Sequence, residues 1–231
     1  MSDTQLFSIH PIAHIRTDFP AKFGLPRQSM LIDSLIGKII FEPTYRNTEA
    51  LRGLEDYSHI WLIWQFSEAV RDNWSATVRP PRLGGNKRMG VFATRSPFRP
   101  NSLALSCVKI ENIELSTPQG PVITVSGIDM LDNTPIFDIK PYLPHIDSIP
   151  HARGGFALPV AGNKLEIIFE TDDITSLPND FIASLHSVLE QDPRPHYQDD
   201  VNRIYGFSFK GYEIHFTVEG EKLFVKSVIP E

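Results

Sequence analysis

The sequence predicts a mainly β protein, a small antiparallel β-barrel followed by a small α+β module. Three observations predict this. Short apolar runs of strand composition recur over the first 140 residues, turn signals separate them, and the hydrophobic period changes only beyond about residue 163. Strands that follow one another without long helices between them do not make βαβ units, which leaves an antiparallel barrel or sandwich to bury them.

In chain order the runs are Phe7–Ile15, Leu35–Phe41, His59–Phe66, Gly90–Thr94, Leu103–Ile110 and Val122–Ile128. Turn composition falls between them at Asp18–Pro20, Glu42–Pro43, Gly84–Gly85, Pro118–Gly120 and Asp132–Pro135. Only Thr48–Leu54 reads as a short helix in this half. The stretch HARGGFALPVAGN, His151–Asn163, is small, Gly-rich and aperiodic, and divides the chain into a barrel domain over residues 1–155 and a module over 163–231 with a core of its own. In that module Phe181, Ile182, Leu185, Val188 and Leu189 fit one helix face, with Ser176 as the expected N-cap and Pro178 near the start. Two strand runs close it, Gly206–Val218 and Lys222–Ile229, joined by a hairpin at Glu219–Glu221.

Composition excludes several classes. Across 231 residues, 41% hydrophobic and 22% charged is ordinary for a soluble globular chain, and no apolar run is long enough to span a bilayer. The first residues show neither a basic n-region nor an apolar h-region, so a cytoplasmic protein is expected. The single cysteine, Cys107, permits no internal disulfide. There is no P-loop and no G-x-G-x-x-G after a strand, the serines sit in no nucleophile elbow, and no His, Cys or carboxylate cluster has metal-ligand spacing, so no metal is expected.

Charge is distributed unevenly. Between Asn73 and Ile110 there is no Asp or Glu, yet Arg79, Arg82, Lys87, Arg88, Arg95, Arg99 and Lys109 fall there, so this stretch carries +7 in a chain of net charge −6. A local positive field attracts a polyanion whatever the net charge, because the docking surface decides. A solvated basic face is the plainer explanation, but the run RPPRLGGNKRMGVFATRSPFRPN is broken by Pro, Gly and aromatic residues and reads as ordered loops rather than a helix face. Its second half is a strand, a loop bounded by Pro97 and Pro100, and another strand. The prolines stiffen the support of Arg95 and Arg99, which suits planar recognition of carboxylate or phosphate; arginines that cap loop carbonyls are the structural alternative.

These blocks carry a resemblance. GVFATRSPFRPN, PRQ at Pro26–Gln28, RGLEDYSHIWLIWQF at Arg52–Phe66, RPPRLGG at Arg79–Gly85 and DNTPIFDIKPY at Asp132–Tyr142 resemble, in order and over almost the whole chain, the TsaA/TrmO family, and QDPRP at Gln191–Pro195 is similar to its bacterial members. The chain departs from the common RPNPIGLS turn at Ser102 and Ala104. The resemblance implies a β-barrel methyltransferase that binds S-adenosylmethionine outside any Rossmann fold, commonly as a homodimer with the cofactor near the subunit interface. It implies methyl transfer to N6 of threonylcarbamoyl-adenosine at position 37, beside the anticodon of a threonine tRNA. Carried over by residue, the cofactor site comprises Pro26, Arg27 and Gln28, then Ser67 and Glu68, then Arg95 and Leu105, and finally the turn Asp132, Asn133, Thr134 and Pro135, which is also plain turn composition.

The target nitrogen is conjugated to a purine and a carbonyl, so its attack needs in-line placement and loss of the N6 proton. Asp138, Lys140 and Tyr142 are the expected catalytic polar groups, with a salt bridge and a core tyrosine as the equal structural explanation. Arg79, Arg82, Lys87, Arg88 and Arg99 are expected to meet tRNA. Two alternatives stand beside this reading. An RNA-binding barrel without catalysis explains the basic loop but not the PRQ and DNTP blocks, and a small-molecule methyltransferase leaves the basic loop incidental.

Overall fold

The computed structural model describes residues 7–70, 73–80, 83, 86–157, 164–194 and 200–231. Strands β1 (Ala13–Thr17), β2 (Ile36–Phe41) and β3 (His59–Gln65) come first, followed by a two-stranded ribbon of β4 (Thr77–Val78) and β5 (Met89–Gly90). Three longer strands follow: β6 (Leu103–Glu114), β7 (Val122–Ser126) and β8 (Thr134–Pro141). Six strands close into a barrel in the order β1-β2-β7-β6-β3-β8, with antiparallel pairing throughout and β1 bonded to both β2 and β8. Closure leaves no free edge.

Alternation explains the core. In β3 every second residue, Ile60, Leu62 and Trp64, is buried, while the residues between them are only partly covered. Ile15, Ile39, Val108, Ile123 and Ile136 complete the interior. Each such side chain contributes about 1.5–3 kcal/mol by leaving water.

After a short helix α1 (Pro144–Asp147), the second half contains β9 (Glu166–Phe169), helix α2 (Asn179–Leu189), β10 (Tyr205–Phe209), β11 (Tyr212–Glu219) and β12 (Lys222–Pro230). The sheet order is β10-β11-β12-β9, and β9 runs parallel to β12. Helix α2 buries Phe181, Leu185, Val188 and Leu189, and the Phe181 ring meets Phe209 and Tyr212 at 5.7 and 5.0 Å.

The structure differs from the sequence reading at several elements. The first run forms a strand only from Ala13 onward. Gly90–Thr94 holds the end of a two-residue strand and a 3-10 turn, Val91–Ala93, and Thr48–Leu54 holds a 3-10 turn at Thr48–Leu51 rather than an α-helix. Gly206–Val218 is two strands, because Lys210 and Gly211 adopt φ of 51° and 78° and make the mirror-image turn that hairpins favour. Helix α2 is capped by Pro178, and the Ser176 hydroxyl donates instead to the Asp173 carbonyl. Strand β8 does not stand out by hydrophobicity, since it carries two prolines, Asp138 and Lys140, whereas β9 is a short apolar run, Glu-Ile-Ile-Phe, absent from the strands expected above.

Nor are the two cores separate. The segment after β1 sends Phe19 against Phe209 at 5.4 Å and Phe23 against Tyr205, Phe207 and Phe216 at 6.1–6.4 Å. Gly24 lies so close to Phe207 that a Cβ there would come within 2.4 Å of its ring, and its φ of +85° excludes most side chains independently. The barrel and the second sheet therefore share one hydrophobic cluster, with the residues just before Pro26 clamped between them.

Candidate active site

A cavity of about 900 Å³ opens beside the β3–β6 pair, where the Pro26–Gln28 loop, the turn after β3 and the Pro97 loop converge. That volume suits a ligand of cofactor size. Of the eleven residues expected at the cofactor, Pro26, Arg27, Gln28, Ser67, Glu68, Arg95, Leu105 and Thr134 line it. Their placement follows from local structure. Phe23 and Gly24 pin the chain before Pro26, the Met30 amide donates to the Gly127 carbonyl at 2.9 Å, and the Arg27 guanidinium reaches the Arg194 carbonyl at 3.4 Å. Ser67 and Glu68 ride on a 3-10 turn that ends β3, and Lys22 Nζ pairs with Glu68 at 3.3 Å. Arg95 donates to the Gln28 side-chain oxygen across the opening. Leu105, 53% exposed, offers apolar surface opposite.

The Asp132–Pro135 turn divides. Thr134 is buried at the cavity wall. Asp132 instead accepts from the Thr17 amide at 2.9 Å and pairs with Arg16 at 3.1 Å. Asn133 takes a left-handed φ of 60° and donates its amide to the Ile15 carbonyl at 2.8 Å, and Pro135 sits opposite His14 in the β1–β8 pair. These three brace the turn that presents Thr134.

Asp138, Lys140 and Tyr142 lie elsewhere. Asp138 and Lys140 form a half-exposed ion pair at 2.9 Å, and Tyr142 packs on Trp61 and His59; none of the three lines the cavity. Arg99 lines it, but its guanidinium also donates to the Thr94 and Ser96 carbonyls at 3.1 and 3.4 Å and so braces the Arg95 loop. Arg79, Lys87 and Arg88 are exposed around the β4–β5 ribbon, with Arg88 donating to Thr77 Oγ1 at 2.9 Å; Arg82 lies outside the described residues. Beside them Trp74 and Phe92 stack at 6.0 Å while 50% and 73% exposed, an arrangement suited to receiving an unstacked base. Among the described residues no three His, Cys, Asp or Glu side chains gather as a metal site, and no helix is long and apolar enough to cross a membrane.

Sequence reasoning missed Asp129. It lines the cavity, accepts from Ser106 Oγ at 2.6 Å and takes a further bond from the Ser29 amide, while Trp64 Nε1 donates to Ser106 Oγ at 2.9 Å. Burial pushes its carboxyl from the ordinary 3.8 up to about 6, against the opposing pull of those donors and of Arg95. A lone Asp inside GIDMLDN carries no signal of this, because its surroundings come from residues 23 and 100 positions away.

A closed barrel with a mainly apolar cavity at its side that carries a few convergent polar groups, a cationic rim and no glycine-rich phosphate loop defines a ligand-binding β-barrel in the class of non-Rossmann cofactor enzymes. The chain belongs to the TrmO family: residues 14–148 match the tRNA-methyltransferase O N-terminal domain and residues 165–231 the TrmO C-terminal domain. It is 34% identical over 92% of its length to the tRNA (adenine(37)-N6)-methyltransferase of Escherichia coli K12, 93% of which is covered. It is 39% identical over 90% of its length, and 91% of the relative's, to Pseudomonas aeruginosa RcsF, whose name provisionally assigns it to the S-adenosylmethionine-dependent methyltransferases. A crystal structure of TrmO from Pseudomonas aeruginosa superposes with a TM-score of 0.79 at 30% identity, covering all of both chains.

Proposed function

We propose that this protein is an S-adenosylmethionine-dependent methyltransferase that methylates N6 of adenine 37 in tRNA, with the threonylcarbamoyl-adenosine of a threonine tRNA as its substrate nucleoside. The observation that carries the reading is the convergence of PRQ, Ser67–Glu68, Arg95, Leu105 and Thr134, distant in sequence, on one cavity beside the carboxylate-poor stretch. The donor set fits the cofactor. In this reading Arg95 would pair with its carboxylate, Glu68 would meet ribose hydroxyls or the amino group, and Trp64, Phe66, Phe98 and Leu105 would cover its apolar parts and the sulfonium. When bound, the cofactor supplies an activated methyl group.

The chain's own residues do the rest. The Gln28–Arg95 clasp and the braced 94–99 loop orient the ligand, which supplies the proximity a poor nucleophile needs. Arg79, Arg82, Lys87 and Arg88 hold tRNA phosphates, and Trp74 with Phe92 offers a stacking surface. Asp138, Lys140 and Tyr142 stand outside the cavity, Asp138 and Lys140 paired to each other on β8. The protein is cytoplasmic and a homodimer in this reading, the exposed Val70 and Leu105 at the cavity edge supplying apolar surface for a second copy. The test is transfer of radiolabelled methyl from S-adenosylmethionine to tRNA from cells lacking this activity. Label in the RNA is the expected result. RNA retained without label points to the non-catalytic RNA-binding barrel, and label in small molecules alone to a small-molecule methyltransferase.

A further inference from the structure

We propose that Asp129 is the group that accepts the N6 proton, held for that task by a Trp64–Ser106–Asp129 relay in the cavity wall. The inference rests on the methyltransferase reading above. Its first support is position. Among the described residues two carboxylates line the cavity, and they differ. Glu68 sits at the rim, half-exposed and paired with Lys22 at 3.3 Å, whereas Asp129 lies deeper among Ser106, Leu131 and Thr134. Its second support is orientation. Trp64 Nε1 has only a hydrogen to give, and it gives it to Ser106 Oγ at 2.9 Å, so that hydroxyl must turn its own hydrogen toward Asp129 Oδ1 at 2.6 Å. The relay therefore has one direction, and together with the Ser29 amide and Asp129's own amide it holds the carboxylate in one orientation at the cavity wall.

Among the described residues the charged groups that line the cavity with Asp129 are Lys22, Arg27, Glu68, Arg95 and Arg99. Lys22 is engaged by Glu68, and Arg99 spans its own loop carbonyls, so neither neutralises Asp129 directly. A carboxyl that titrates at about 6 is a stronger base than a surface aspartate yet is still mostly ionised at neutral pH, the compromise general-base catalysis favours. The step balances. The N6 lone pair bonds to the methyl carbon, the methyl–sulfur bond breaks with its electrons returning to sulfur, and the N6 proton passes to Asp129, which releases it to water.

The experiment pairs cofactor binding with single-turnover transfer in the full-length protein. Asp129→Asn, checked for a native near-ultraviolet spectrum, should hold the S-adenosylmethionine dissociation constant within about threefold while transfer at saturation falls about a hundredfold or more, the range of a general base. Asp129→Glu should restore part of the rate. Ser106→Ala removes a donor to the ionised form, so the midpoint of the acid limb of the rate should move to higher pH. A transfer rate near the parent's in Asp129→Asn overturns the proposal. So does a lost dissociation constant with an unchanged rate at saturating cofactor, which makes Asp129 an anchor, and so does an acid limb that Ser106→Ala leaves in place. A parent protein that transfers no methyl refutes the methyltransferase reading, and this inference falls with it.

Discussion

Asp129→Asn also perturbs stability, and its sign follows from the same cavity. In the unfolded chain this carboxyl titrates near 3.8, and in the folded protein near 6, because burial disfavours the ionised form more than Ser106 and the Ser29 amide favour it. Folding therefore binds this proton more tightly. Below pH 4 the group is neutral in both states and costs nothing. Between pH 4 and 6 the unfolded state ionises first and the native state loses stability, and above 6 the full cost remains. The difference between 3.8 and about 6 corresponds to about 3 kcal/mol. Asparagine keeps the shape and the acceptor for Ser106 but carries no charge, so it removes up to that amount above pH 6. For a chain of this size that is an increase of about 6–12 °C in melting temperature. Calorimetric melts of parent and variant from pH 4 to 8 provide the assay. The difference in melting temperature should be near zero at pH 4, open through pH 4–6 in the variant's favour and then level off. A pH-independent difference, or a variant less stable than the parent at pH 8, would refute the assignment of Asp129 as a buried, costly carboxylate. A stability cost retained at this position is what a site that trades stability for activity produces.

Other predictions follow from the same geometry. Arg95→Ala loses a charge-assisted contact and the Gln28 clasp, so calorimetry should show S-adenosylmethionine bound about ten- to a hundredfold more weakly with the fold intact; an unchanged constant removes Arg95 from the site. Removing the chain from residue 164 onward strips Phe19 and Phe23 of their aromatic partners, and the fragment should be insoluble or bind no cofactor; a soluble, binding-competent barrel would show that the Pro26–Gln28 loop needs no support from the second sheet. Changing Lys87 and Arg88 to Ala should raise the tRNA Michaelis constant and flatten its salt dependence by about one counterion per lost phosphate contact, while the melting temperature barely moves because exposed charges contribute little to it. Equal salt slopes would make the cluster a solvated face.

The barrel was legible where burial alternates along a strand, as in His59–Gln65 and Ile36–Phe41, because one covered face leaves a period of two in the sequence. It was illegible where long-range pairing overrides composition. Strand β8 is held between β1 and β3 despite Pro135 and Pro141. In the second module the helix face was legible, but the turn at Lys210–Gly211 was hidden inside one apolar run. The same division holds at the site. Short blocks rich in Pro, Arg and Gln marked Pro26–Gln28 and Arg95, whereas Asp129 gains its character from Ser29 and Ser106, which no local pattern connects to it. Asp138, Lys140 and Tyr142 carry suitable chemistry, but the first two stand on the part of β8 that leads away from the cavity and Tyr142 follows that strand's end.

The central claim is that this cavity moves a methyl group to N6 of a single modified adenosine in tRNA, and nucleoside analysis by mass spectrometry tests it most directly. Threonine tRNA with and without its threonylcarbamoyl group is incubated with the protein and S-adenosylmethionine, digested and separated. The account predicts a threonylcarbamoyl-adenosine heavier by one methyl, formed only from the modified tRNA. A methyl group found on any other nucleoside, or appearing equally in the unmodified tRNA, would contradict it.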